Sequence, residues 1–382
     1  MSSVTEVLMG CGSFTLNLDP ATPRSIVEEL PTWSTVCVVP GNETGLDRAE
    51  VLSVSQFSGI LRSRTDNLCT LSGPSITAWV GDEDGKGDGA LNAVSGSTSA
   101  QAMVVDLFSS IDGVNGIELD DYSSLPATPV WATRIDGTEI PRVFLDRVCR
   151  FFDWQYRVKP DGTCDIGTRG SLFTTTPTLL VVPSWFAEGP TDVSYRVVAG
   201  TIRATSSDDD YATDVIVYDG TYGGFGTLLG TPPDGFQPGY NAYIEKRVEG
   251  VDLGSDADAA AQGDNELLYN YATKNLIDLS LPLDDPKAHV EPGDSIYVYD
   301  PLQGLVLTSN QVFALGQHLC PIEVDVTEMT YPITEGSGVM IIHNTTGEVI
   351  NVTDFVQWGT GDTSLRVGAK WPTLVEVVNG RN

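Results

Sequence analysis

Three aspartates, Asp82, Asp84 and Asp88, stand in the glycine-rich run 81–89 with the oxygen spacing of a calcium loop. A helix–loop–helix calcium site also needs an oxygen donor at its fifth position and a bidentate glutamate at its twelfth. Lys86 and Ala93 occupy those positions, so a solvated Gly/Asp loop is the better reading. Gly224-Phe225-Gly226 opens a dinucleotide fingerprint, but the third glycine, Gly230, comes one residue late and no strand–helix–strand crossover surrounds it. His318 and Cys320 alternate on a predicted strand over 311–320 with no third partner in view, which leaves a Cys/His nucleophile unsupported. The other histidines are His289 and His343. Paired carboxylates could do glycosidase chemistry if two flanked a cleft and one had a raised pKa, a condition spacing alone does not reveal. Trp33, Trp79, Trp131, Trp154, Trp185, Trp358 and Trp371 could line a sugar groove, though tryptophans more often anchor cores and interfaces. Asn42, Asn344 and Asn351 head N-x-T sequons, incidental in the absence of a leader. The residues therefore assign no catalytic, cofactor-binding or metal site and no cofactor, and the chain is expected not to be an enzyme.

The charge balance points the same way. Lys plus Arg is 21 against 52 Asp plus Glu, a formal net charge of −31 over 382 residues. A nucleic-acid binder needs a positive footprint to neutralise phosphates, and an anionic membrane surface demands the same. No run of 18 apolar residues suggests a membrane span, and Met1–Gly10 lacks a basic leader and a long apolar core. The six cysteines, Cys11, Cys37, Cys69, Cys149, Cys164 and Cys320, form no C-x-x-C pair, as expected of buried thiols from a reducing cytoplasm.

The elements that must position any site read as mainly β. Thirty-nine glycines and 22 prolines punctuate Val-, Thr- and Tyr-rich runs. Strands are predicted over 13–19, 35–39, 51–61 with Gly59 as a possible bulge, 68–71 and 76–80, then a loop over 81–100. A helix is predicted from Ala100 to Ile111 with Ala102, Val105, Leu107, Phe108 and Ile111 as its apolar residues. A clearer one runs from Ile140 to Phe152, with Ile140, Val143, Phe144, Val148, Phe151 and Phe152 in one stripe, Pro141 in the first turn and Thr138 as cap. A hairpin follows, 153–159 and 163–167, turning at Pro160-Asp161-Gly162. Further strands are predicted over 193–198 and 214–218, with Asp208–Asp210 as an exposed turn between them. A loop over 221–240 and a helix from Ser255 to Lys274 come next. The remaining strands are 276–283, 295–299, 322–326, 339–342, 349–352 and 373–378.

Several stretches, in order, resemble a known family. Phe57–Arg62 followed by Leu71–Gly87 is similar to the N-terminal barrel of minor tail proteins from siphophages of actinobacteria. Ile140–Cys149 with Trp154–Gly162 resembles the helix-and-hairpin of phage tail hub proteins. Asp209–Val217 resembles a strand returning to the first barrel. Ala259–Leu279 and Pro292–Pro301 resemble the second barrel, and Gly347–Ala369 resembles the same proteins more loosely.

The resemblance implies two tube-like β-barrels, the first interrupted by an inserted α+β helix-hairpin domain, and a small β region at the C-terminus. The implied division is 1–97 and 191–245 for the first barrel, 98–190 for the insertion, 246–320 for the second barrel and 321–382 for the C-terminal β region. It implies a homotrimeric hub of the virion at the distal tail tip, assembled in the host cytoplasm. Its partners would be the tail tube or distal tail protein, the tape measure protein and other tail tip proteins. DNA would pass through without specific binding, repelled by an acidic lumen to which Asp82, Asp84 and Asp208–Asp210 could contribute. The alternative is a carbohydrate-binding or carbohydrate-cleaving tail protein acting on the host envelope, with Trp79 and Trp185 as candidate sugar contacts.

Overall fold

The structure, a computed structural model, describes residues 1–28, 30–41, 45–65, 69–80, 98–115, 117–125, 130–131, 141–152, 154–168, 171–173, 176–177, 179–186, 194–197, 202–207, 214–227, 245–249, 255–257, 259–260, 262–264, 274–282, 290–303, 305–306, 312–314 and 317–369. Strands β1 (Ser3–Val7) and β2 (Ser13–Asn17) open the chain. Helix α1 (Arg24–Glu28), β3 (Thr35–Pro40), helix α2 (Arg48–Val54), β4 (Phe57–Ile60), β5 (Ser63–Arg64) and β6 (Thr70–Pro74) follow. Next come β7 (Thr98–Ser99), helix α3 (Ala100–Asn115), β8 (Glu118–Leu119), β9 (Val130–Trp131), helix α4 (Pro141–Phe152), β10 (Trp154–Val158) and β11 (Thr163–Thr168). The middle of the chain holds β12 (Leu180–Pro183), β13 (Ser194–Val197), β14 (Arg203–Ser207), β15 (Asp214–Tyr218), β16 (Gly223–Thr227), β17 (Glu245–Glu249) and β18 (Lys274–Leu281). The last part holds β19 (Ser295–Val298), β20 (Val312–Ala314), β21 (Gln317–Leu319), β22 (Ile322–Pro332), β23 (Ser337–Ile342), β24 (Val349–Asn351) and β25 (Thr363–Ala369).

The fold is mainly β, as the turn-punctuated sequence predicts. Its organiser is β22, 11 residues long. One edge of β22 pairs with β25. The other edge is shared: Ile322–Asp325 pair with β19, and Glu328–Pro332 pair with β1. A register shift between Val326 and Glu328 separates the halves, and such a bulge bends a strand. The result is a continuous path β14-β18-β25-β22-β1-β2-β6-β5, with β19-β12-β13 branching from β22. β13 comes to lie beside β18, yet no ladder joins them, so among the described residues no sheet closes into a barrel. Among the described residues the main sheet is thus open, with β22 serving two neighbours on one edge.

A second sheet, β24-β23-β3-β4, packs against this one. The runs Thr35–Val39 and Val339–Ile342 are apolar without alternation, as strands buried on both faces should be. Val36, Val38, Val339 and Ile341 join the main core with Val4, Phe14, Leu16 and Met329. Cys37, Val39, Met340 and Ile342 face the other way, onto Val51 of α2.

The inserted unit has a core of its own. Met103, Val104, Leu107 and Phe108 of α3 meet Phe144, Leu145, Val148 and Cys149 of α4 over Trp154, Tyr156, Cys164 and Ile166 of the hairpin. Ser99 caps α3, its Oγ accepting the Ala102 N–H at 3.1 Å, a contact of about 1 kcal/mol. The α4 span and the hairpin match the sequence reading; of the predicted α4 stripe Phe144 and Val148 are buried, joined by Leu145 and Cys149, while Ile140, Thr138 and the side chains of Val143, Phe151 and Phe152 lie outside the described residues. For α3 the predicted Leu107 and Phe108 are buried, but Met103 and Val104 are buried in place of Ala102 and Val105, which are half-buried; the Ile111 side chain lies outside the described residues.

Other local predictions need correction. Residues 51–61 are not one strand: α2 ends at Val54 and β4 begins at Phe57. The missed signal is a capping box, in which Asp47 Oδ1 accepts the Glu50 N–H at 2.9 Å and Glu50 Oε2 accepts the Asp47 N–H at 2.8 Å. Gly59 is not a bulge; a Cβ there would lie 2.5 Å from the Phe14 ring, so glycine permits that ring to lie on β4. Residues 76–79 form a 3-10 turn rather than a strand, because Ala78 N–H bonds back to Ser75 O. The loop over 221–240 contains β16, and 311–320 folds back as the hairpin β20–β21. Helical geometry covers described residues from 256 to 264, but Lys274 already begins β18. The predicted strand over 373–378 lies outside the described residues.

Candidate functional site

The eight-strand path has two unlike faces. Ile277, Leu279, Leu365, Met329, Val4, Phe14, Leu16 and Leu71 point into the main core. Their alternates point out and form cross-strand rows. One is Arg203–Asp278–Arg366–Glu328, on β14, β18, β25 and β22, each opposite the next. The adjacent row is Ser280–Ser364–Thr330–Thr5–Ser13, crossing to β2. A third, Pro332–Ser3–Thr15–Ser72–Ser63, continues to β5.

The local chemistry explains the arrangement. Serine and threonine at every second position leave the intervening residues free to fill the core, and cross-strand hydroxyl pairs add about 0.2–1 kcal/mol each. The Thr5 and Thr330 hydroxyls are 2.8 Å apart, and Thr70 Oγ1 donates to Asn17 Oδ1 at 2.8 Å. Arg366 holds the charged row: its Nε is 3.1 Å from Asp278 Oδ1 and its Nη1 is 3.2 Å from Glu328 Oε2. The hydrogen bond to Asp278 and the charge of Glu328 push the guanidinium pKa further up. An open hollow of about 380 Å³ lies over this row, lined by Arg203, Asp278, Ser280, Glu328, Thr330, Ser364 and Arg366. Two cations and two anions cancel there. In a chain of net charge −31 this row is balanced and bordered by hydroxyls, with no surplus cation in it to hold a phosphate.

A second hollow, about 310 Å³, lies where the inserted unit meets the main sheet. Arg157 Nη1 contacts Glu291 Oε2 at 2.6 Å across this junction. Lys159 Nζ lies 2.7 Å from Asp120 and 2.9 Å from Asp165. Burial works against its charge, but these two hydrogen bonds outweigh it and raise its pKa. Glu6 accepts from the Tyr331 hydroxyl at 2.6 Å. The carboxylates of this hollow are thus taken up by donors. Among the described residues the carboxyl whose pKa is pushed up is Asp146, through burial. It bonds Tyr156, whose hydroxyl also lies 2.8 Å from the Met9 carbonyl oxygen. It ties α4 and β10 to the main sheet, and it does not line the hollow, so the acid/base pair of a glycosidase is not assembled there.

The remaining candidates are placed as follows. Asp82, Asp84, Asp88, Asp208–Asp210, Gly230, His289 and Trp371 lie outside the described residues. Gly224 and Gly226 sit within β16, which pairs with β15 as an antiparallel hairpin and does not open a helix. His318 is exposed on β21 and Cys320 follows that strand half-buried. His343 Nδ1 accepts the N–H groups of Thr345 and Thr346, both at 3.2 Å, so it caps a turn. Burial pushes the Cys37, Cys149 and Cys164 thiols up, away from nucleophilic character. Trp33, at φ 75, stacks on Trp79 with centroids 5.1 Å apart, and the Arg62 guanidinium lies 3.5 Å from the Trp33 ring centroid. That stack uses faces a sugar would need. Trp154 is buried, Trp358 packs on the main core, and Trp185 is 52% exposed, with an edge contact to Phe186. Among the described residues no group of three His, Cys, Asp or Glu could hold a metal ion. No helix among them is long and apolar enough to cross a membrane.

The polar face went unread because β1 was missed. The signal was present as hydroxyls at every second position, Ser3-x-Thr5, Ser13-x-Thr15 and Thr70-x-Ser72, around buried Val4, Phe14 and Leu71.

No family model matches the chain, and no curated protein matches it. Solved structures do. The tail protein from Neisseria meningitidis MC58 superposes with a TM-score of 0.59 at 12% identity, covering 98% of this chain and 94% of that one. The 43 kDa tail protein of prophage MuSo2 from Shewanella oneidensis gives 0.53 at 12% identity, with coverage of 98% and 94%. Prophage tail protein gp18 from Listeria monocytogenes EGD-e gives 0.51 at 11% identity, with coverage of 99% and 90%. At these identities the shared property is the fold, end to end.

Proposed function

We propose that the chain is a structural protein of a phage tail, a trimeric hub segment at the distal end of the tail tube, and not an enzyme. In this reading the hydroxylated face of the eight-strand path lines the passage through which DNA moves. Two things support it: solved proteins that share the fold along nearly their whole length are described as tail proteins, and this chain carries a broad polar face with a charge-balanced row. The polar face carries the argument. A conduit wall must stay wet and must not grip the backbone of DNA. Hydroxyls satisfy the first need, and cancelled charges within an acidic chain satisfy the second.

The hub would contact the tail tube or distal tail protein, the tape measure protein and other tip proteins, and would reside in the virion after assembly in the host cytoplasm. The inserted unit, with its separate core, would stand as an appendage on the wall.

The test is electron microscopy of the assembled particle, with cysteines placed at Ser364 and Thr330 and tagged by a gold-maleimide. Density on the axis of a threefold ring is the expected result. Density on the outer surface, or a chain that remains a monomer at high concentration, would overturn the reading. A functional arm uses Ser280→Lys with Ser364→Lys, which should leave ring formation intact while slowing DNA release.

A further inference from the structure

We propose that the open edge of β16 is a strand-pairing site for an extended, basic segment of a partner protein. The sheet is β16-β15-β17, with β15 in the middle. In the β15–β16 hairpin Asp219 N–H bonds Tyr222 O at 3.2 Å, which sets the phase of the ladder. Alternation from that pair turns the backbone groups of Gly224 and Gly226 toward β15 and those of Gly223, Phe225 and Thr227 toward the far edge. The Gly223 N–H agrees with this phase, since it donates outward to Asp256 Oδ1 at 3.0 Å. Phe225 and Thr227 thus present N–H and C=O groups on the far side, where no described strand pairs with them.

The two edges of this sheet are treated differently. β17 reads Glu-Lys-Arg-Val-Glu, charged at every position but Val248, as an edge protected from stray pairing should be. β16 reads Gly-Gly-Phe-Gly-Thr, with no charge and no proline. Packing accounts for two of those glycines: a Cβ on Gly224 would lie 2.3 Å from Ala260 N, and one on Gly226 would lie 2.1 Å from Gly263 C. A Cβ on Gly223 would come closest to the Tyr218 ring, at 3.1 Å, and Phe225 is exposed, yet neither position carries a guard. Phe225 is 62% exposed and Tyr218, on the same outer face, 54%.

Charge selects the occupant. A second copy would bring another −31 to this edge, whereas a basic strand is attracted, and Asp256 already stands at the end of β16. Apolar side chains at alternate positions would lie along Phe225 and Tyr218, the strand-addition mode of peptide recognition. This inference stands independently of the channel reading, which concerns a different sheet.

The probe is a short fluorescent peptide of alternating valine and lysine, titrated into the full-length chain by anisotropy. Binding that weakens with salt is expected. Thr227→Pro removes an outward donor without touching the ladder to β15, and Phe225→Lys adds a repelling charge at an exposed position. Each should weaken binding about tenfold or more. Should Thr227→Pro fail to fold, Phe225→Lys still decides. Unchanged affinity in the variants would overturn the proposal. So would equal binding of a backbone-methylated peptide, which shows charge attraction alone, or a dimer of the chain that Thr227→Pro dissolves, which shows a second copy.

Discussion

The eight-strand path of the main sheet and the three-strand β16-β15-β17 sheet each bury one face and expose the other, and they expose opposite chemistries. The large sheet shows serines, threonines and a cancelled row of charges. The small one shows Phe225, Tyr218 and Ile216 beside an unguarded edge. Secondary structure does not distinguish them. What differs is the residue at every second position, so a strand's outward alternates decide whether its face repels or receives another molecule. The cores differ as well. The large sheet rests on the main cluster, whereas the small one rests on Val215, Val217 and Ala259, with Tyr222 and Val248 at the margin.

That difference in cores gives the largest expected effect. Leu279→Ala, beneath the polar face, should cost about 2–5 kcal/mol, since a cavity there is held open by the surrounding sheet. Val215→Ala should cost clearly less, because it removes fewer buried carbons and leaves a smaller cavity. Urea denaturation of the two variants checks the order, and equal losses would mean the two cores form one cooperative unit of equal density.

Next is Gly226→Val, which forces a side chain into the backbone of the underlying helical segment. Overpacking of this kind costs about 1–3 kcal/mol. The expected signature is local: amide exchange should accelerate in 214–227 and leave 3–17 unchanged. Acceleration in both would break the separation between the two sheets.

How much of this was legible in the sequence depends on how local each cause is. The α4 span and the Pro160–Gly162 turn carry their signals within a dozen residues and read directly. The Asp47–Glu50 capping box was equally local, but the apolar run after it resembled a strand and masked it. The branching at β22 was not legible at all. Its two partners on one edge lie at Ser3–Val7 and Ser295–Val298, and nothing in either run specifies which strand it will meet. The polar face inherits that obscurity, because its rows exist only once β18, β25, β22, β1 and β2 are in register.

The junction with the inserted unit offers a control in which the polar group is partly buried instead of exposed. Burial raises the Asp146 pKa, so the folded protein binds its proton more tightly than the unfolded chain does. Its contribution is therefore complete below the ordinary carboxylate range and is lost as pH rises through the raised value. Asp146→Asn removes that loss while keeping an acceptor for Tyr156. The variant should match the wild type near pH 4 and gain on it toward pH 7, by less than about 1 kcal/mol, because the side chain keeps 43% exposure. Thermal unfolding at the two pH values reads the difference. A variant that falls behind as pH rises would mean the carboxylate is held by Arg142 more strongly than it is penalised by burial.

The smallest effect belongs to the charged row itself. Arg366→Ala deletes the cation shared by Asp278 and Glu328, but all three side chains are open to water, where such pairs contribute about 0–1 kcal/mol. Removing Arg366 also leaves two anions facing each other across β25, so the loss should be greatest at low salt and vanish as screening shortens the range of their repulsion. Stability measured across a salt series separates two roles for the row. A loss confined to low salt means that the row sets the charge of the face and little else, which is what a surface built to let another molecule pass requires. A loss that persists at high salt would mean Arg366 is packed as part of the fold, and the contrast between a passive face and a receiving one would then rest on the hydroxyl rows alone.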